Sequence, residues 1–177
     1  MRHPFERIPP ENGKRLFLPL LAATLLVVAA LGFVDASTRN ASAPQGIVSF
    51  ELARSVDRAS AIVNSWDASQ RLRSAWGLGF DYLFMPLYSS AIGFACVWAG
   101  RRFGERSGRW LAWGMWVAAG FDAVENFALL RILLSAPASP WPQLAFWCAS
   151  IKFGLILIGL AYAGVGAVVG IAKMREK

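Results

Sequence analysis

Apolar residues fall into four long blocks separated by short polar stretches. The first, residues 16–34, is 19 residues long and carries no charge between Arg15 and Asp35. A helix rising about 1.5 Å per residue crosses a bilayer core of about 30 Å in roughly 20 residues, so this block is long enough to span. The second block, 79–100, holds one charge, Asp81, and the third, 110–134, holds Asp122, Glu125 and Arg131. The fourth, 144–172, holds only Lys152. Pro137, Pro140 and Pro142 predict a tight uncharged turn between the third and fourth blocks. The pattern predicts an all-α integral membrane protein, a four-transmembrane-helix bundle forming one membrane domain.

The stretch between the first two blocks, residues 35–78, is too long for a simple loop. Val48, Leu52, Val56, Ala59, Val63 and Trp66 recur at helical spacing, with Glu51, Arg54, Asp57 and Arg58 on the opposite side. This predicts one amphipathic helix over 46–66, lying on the outer leaflet or capping the bundle. Asp67 followed by Gln70 has the form of a capping box, opening a second helix that continues through Trp76 into the second span. Asn40-Ala41-Ser42 forms a lone glycosylation sequon.

Composition supports the membrane reading. Hydrophobic residues make up 56% of the 177 and charged residues 16%, against about a quarter in a soluble domain. The basic residues are distributed unevenly: residues 1–15, 101–109 and 173–177 carry 4, 4 and 3 of them. The longer stretch 35–77 carries 5, offset by 4 acids. The positive-inside rule then puts both termini in the cytoplasm, with a bacterial inner membrane as the expected location. A cleaved signal peptide is the competing reading of the first block, but that block exceeds a usual apolar signal core and VDAS after it is a poor cleavage site. The net charge of +7 is therefore a topology signal with contact to anionic lipid, and no nucleic-acid partner is expected.

Ionisable residues inside a span cost about 2.5–3.5 kcal/mol each on insertion scales, which makes them the candidates for function. Asp122, Glu125 and Asn126 share one helix face at i, i+3 and i+4. Lys152 heads a strip of small residues, Gly159, Ala163, Gly166 and Gly170, which should turn toward other helices. It is expected to pair with Asp122 or Glu125. Asp81 shares a face with Met85, Tyr88 and Ser89, and Pro86 frees the carbonyl of Tyr82. Three acids against one lysine leave an excess of negative charge, to be met by protonation, hydration or a bound cation.

Asp81, Tyr88, Asp122, Glu125, Asn126 and Lys152 are thus the polar-core or ligand-binding candidates. A metal site is not expected, because Asp122 and Glu125 lack the histidines of the di-iron ExxH motif. No cofactor is implied, and His3 lies far in sequence from the other candidates. Four spans with a buried acid resemble the small multidrug transporters in architecture, but the acid those proteins place in their first span has no counterpart in 16–34. Cys96 and Cys148 stand 52 apart and do not form the paired motif of four-span thiol oxidoreductases. The expected function is binding of another membrane protein or of a lipophilic or cationic ligand. The alternative is a membrane enzyme or transporter with an outward-opening cavity lined by Asp81, Asp122, Glu125 and Lys152.

Overall fold

The computed structural model describes residues 2–135 and 137–175, and these contain helices and no strand. A 3-10 turn at Pro4–Arg7 precedes six helices: α1 (Pro10–Ala36), α2 (Ile47–Glu51), α3 (Val56–Ser65), α4 (Ala68–Phe103), α5 (Glu105–Ser135) and α6 (Trp141–Arg175). Among the described residues, α1, α4 and α6 contain segments long and apolar enough to cross a membrane. Helix α5 is as long, but it carries the acids and four tryptophan or asparagine residues that lower its hydropathy. The four apolar blocks are thus the cores of four longer helices. Of the basic tail 173–177, residues 176 and 177 lie outside the described residues.

The chain divides into two compact units. One contains Met1–Thr24, Pro86–Ala119 and Lys152–Lys177; the other contains Leu25–Met85 and Gly120–Ile151. Helices α1, α4, α5 and α6 each contribute residues to both.

In the second unit the connector between α1 and α4 is a folded cap. Phe50, Ile62, Val63 and Trp66 of the connector form one buried cluster with Leu78 of α4, Leu129 and Ile132 of α5, and Ala145 of α6. The expected single helix over 46–66 is instead two helices, α2 and α3. They are separated at Leu52–Ser55, where Arg54 has a φ of 59° and Ser55 is extended. Ser55 Oγ accepts the amide of Arg58, so an N-cap competes with continuation of the apolar period. Leu52, on the expected stripe, is consequently exposed. The Asp67–Gln70 capping box is present: Gln70 N–H donates to Asp67 Oδ1 at 2.8 Å and Asp67 N–H to Gln70 Oε1 at 3.0 Å.

Asp35 organises the start of this connector. An acid in the last turn of a helix opposes the helix dipole and needs compensation. Its Oδ1 accepts the amide of Ile47 at 2.6 Å and the hydroxyl of Thr38 at 2.9 Å, and Oδ2 faces Arg39 at 3.4 Å. Trp66 Nε1 then donates to Thr38 O at 2.7 Å and Gln70 Nε2 to Ser37 O at 2.7 Å. Asn40, the sequon asparagine, accepts the amides of Ser42 and Ala43 and donates to Ser65 Oγ at 3.0 Å.

In the first unit, Gly104 (φ 130°) is the one residue separating α4 from α5, so nearly all of 101–109 is helical. The two helices approach closely at Gly100 and Gly108. A Cβ on Gly108 would lie 2.6 Å from the carbonyl of Cys96 and 2.8 Å from Gly100 Cα. The small strip of α6 turns inward as expected. A Cβ on Gly159 would meet Met115, and one on Gly166 would meet Ala99. Arg102 donates to Gly166 O at 2.6 Å.

The N-terminal segment docks in this unit. His3 is buried, with its ring edge-on to Trp113 at 4.8 Å, and its Nδ1 accepts the amide of Phe5. Glu6 accepts the amide of His3 at 2.7 Å and pairs with Arg109 at 2.8 Å. Hydrogen bonding from Arg109 holds the Glu6 carboxyl below the usual carboxylate range. Burial lowers the His3 pKa, partly opposed by the charge of Glu6.

Two predictions follow from this packing. Gly46 has φ 58° and its position for a Cβ is filled by the Asp35 carboxylate, so Gly46→Ala should destabilise the protein by about 1–3 kcal/mol or more in thermal unfolding. Acidification should release the N-terminal segment in two stages. Because the folded His3 favours the neutral ring, a penalty grows as pH falls below about 6.5, where the unfolded histidine protonates. Glu6 contributes stability above its unfolded value of about 4.3 and loses it as pH falls through its lower folded value. Amide exchange at residues 3–8 should show both stages, with His3→Gln removing the upper and Glu6→Gln the lower; pH-independent protection would contradict both assignments.

Candidate functional site

The polar face of α5 lies in the second unit. Asp122, Glu125 and Asn126 are 2%, 0% and 1% exposed, so their i, i+3, i+4 spacing places three polar side chains on one buried face. Asn126 Nδ2 donates to Asp81 Oδ2 at 2.8 Å and to the carbonyl of Leu78 at 3.1 Å. Tyr82 adds a second tie from α4 to α5, its hydroxyl donating to Ala123 O at 3.1 Å. Asp81 is half-buried. The structure therefore brings Asp81 onto the Asn126 side of α5, one of the associations that decides between a bare structural pair and a gathered acidic site.

Tyr88 and Lys152 belong to the first unit. Tyr88 is buried with Met85 and Ser89, as their shared helix face predicts. Lys152 is 5% exposed, and its Nζ sits 4.7 Å from the centre of the Phe153 ring. Arg131, by contrast, is exposed and lies over Trp141 at 5.7 Å.

Tyr82 and the Leu78 carbonyl are absent from the sequence-derived candidates. Leu78, Asp81 and Tyr82 nevertheless repeat the i, i+3, i+4 spacing of Asp122, Glu125 and Asn126, and two such faces meeting is the signal that identifies them. His3, far in sequence from the other candidates, is a packed aromatic of the first unit.

The site can supply carboxylates, an amide and a phenol in apolar surroundings. Such a set has the chemistry to accept hydrogen bonds or to face a cation. Among the described residues no three His, Cys, Asp or Glu side chains are grouped as metal ligands. No family model, curated protein or solved structure matches the chain.

Asn126→Leu removes both donations from a buried position and leaves two acceptors without them. A loss of about 2–4 kcal/mol is expected in thermal or denaturant unfolding. Tyr82→Phe, which removes a single exposed hydrogen bond, should lose less than about 1 kcal/mol. Equal effects of the two substitutions would contradict the assignment of Asn126 as the principal tie.

Proposed function

We propose that this is a four-span membrane protein with both termini in the cytoplasm, which binds a small lipophilic cation through the acids of its α4–α5 polar face. The observation that carries the reading is the burial of Asp122, Glu125 and Asn126 on α5 beside Asp81. The apolar spans contain Lys152 and the exposed Arg131 against the three carboxyls of Asp81, Asp122 and Glu125. A positively charged guest relieves the excess that would otherwise demand protonation.

The membrane reading rests on what the helices present outward. The apolar windows of α1 and α6 are only 11% and 17% buried, leaving large continuous apolar surfaces. Helix α5 fits as the fourth span despite its composition. Its 31 residues measure about 46 Å. Asp122, Glu125 and Asn126 in its middle are enclosed, while Val117, Val124, Phe127 and Leu134 face outward. The uneven distribution of Lys and Arg supports the orientation.

Equilibrium dialysis of tetraphenylphosphonium against the full chain in non-ionic detergent tests the proposal. Saturable binding is expected, weakened about tenfold or more by Glu125→Gln or Asp122→Asn. Thermal unfolding of each variant separates lost binding from lost folding. Absence of saturable binding by the folded wild-type chain, or binding unchanged in folded variants, would overturn it.

A further inference from the structure

A second polar feature lies wholly within the first unit and has the opposite charge. A cavity of about 270 Å³ opens where the N-terminal segment meets the α4–α5 junction. Arg2 precedes the 3-10 turn and Arg7 is its last residue, Arg101 comes from the last turns of α4, and Arg109 from the start of α5. Glu6 and Glu105 complete its charged lining.

The charges do not cancel. Glu6 is engaged by Arg109, whose Nε lies 2.9 Å from both carboxylate oxygens and whose Nη2 lies 2.8 Å from Oε1. That leaves Arg2, Arg7 and Arg101 against Glu105 alone, a local excess of two positive charges. Arg101 is held in place by donation of one N–H to the Ile8 carbonyl at 3.2 Å. A guanidinium has five such donors in a planar fork that matches an oxyanion.

From this lining we infer that the cavity is a binding site for a phosphate-bearing anion, either a lipid headgroup or free phosphate. Guanidinium groups recognise phosphate through paired, charge-assisted hydrogen bonds, and several of them converge here. The volume is just below the usual 300–1,000 Å³ of drug-sized sites, which suits a headgroup or an oxyanion rather than a nucleotide cofactor. The lining residues stand at the polar ends of apolar helices, and Trp110, exposed one residue beyond Arg109, is typical of the interface with headgroups. The lipid source rests on the membrane orientation proposed above, in which this end meets the anionic cytoplasmic leaflet. Recognition of phosphate itself does not rest on it, nor on cation binding by the α4–α5 acids.

The test is thermal unfolding of the full chain in non-ionic detergent at constant ionic strength, titrated separately with inorganic phosphate, dihexanoyl phosphatidylglycerol and dihexanoyl phosphatidylcholine. A ligand that binds the folded state raises the midpoint in a saturable manner. Stabilisation by phosphatidylglycerol and not by phosphate assigns the lipid source, and stabilisation by phosphate assigns the free anion. Arg101→Gln should weaken the effective ligand about tenfold to a hundredfold. Arg2→Gln, at an exposed position outside any helix, gives the same readout without disturbing the Ile8 contact. Arg58→Gln, on α3 of the other unit, should leave the titration unchanged. No saturable shift with phosphate or phosphatidylglycerol, an equal shift with phosphatidylcholine, or equal weakening by Arg58→Gln would overturn the inference.

Discussion

A polar group removed from water and left without a partner costs about 1–3 kcal/mol, and a charge costs more. In a chain that is 56% hydrophobic, this constraint decides where the backbone may leave a helix. The four long helices satisfy their own amides and carbonyls along most of their length. The connector cannot do so, and its irregular backbone is held by side chains. Asp35 receives Ile47 and Thr38, the indole of Trp66 reaches Thr38 O, and Gln70 reaches Ser37 O. The apolar cluster of Phe50, Ile62 and Trp66 closes over α4, α5 and α6 because this polar scaffold fixes its approach.

The same constraint operates in the first unit through close approach. Gly100 and Gly108 bring α4 and α5 together, and Gly159 and Gly166 bring α6 against Met115 and Ala99. Such close approach adds dispersion contacts between the helices. Arg102 spans the same contact by donating to the Gly166 carbonyl. The N-terminal segment follows the constraint only in part: Glu6 has a bidentate ion pair, whereas His3 packs against Trp113 with its Nε2 buried and without a hydrogen-bond partner.

Features encoded in local spacing were legible in the sequence. The long helices, the Asp67–Gln70 box, the inward strip of α6 and the polar face of α5 all follow from periodicity or capping chemistry. The break at Leu52–Ser55 was not legible, because the apolar period continues through it while Ser55 offers an N-cap that wins locally. Asp35 was read only as the end of the first block, since nothing in its neighbours reveals that Ile47, 12 residues on, will donate to it. Docking of His3 and Glu6 depends on partners more than 100 residues away and leaves no periodic trace. Within the acidic site, the face was legible and the specific Asn126–Asp81 bond was not, because register between two helices is a tertiary property.

Helix α5 shows how composition and position constrain each other. It begins with Glu105 and Arg109 at the basic cavity and carries Asp122, Glu125 and Asn126 in its middle. No other long helix holds so many Asp, Glu, Lys and Arg residues, and among the described residues α5 is the long helix that lacks a sufficiently apolar window. Helix α1 is the opposite case: its apolar window is 11% buried, and it carries no charge between Arg15 and Asp35. In the membrane proposed above, a helix with little protein around it must be apolar on every side, whereas a helix that carries polar chemistry must bury it among neighbours. The low hydropathy of α5 is therefore a consequence of the polar groups it carries. Its outward row of Val117, Val124, Phe127 and Leu134 shows that the apolar requirement survives where the helix faces away from the protein.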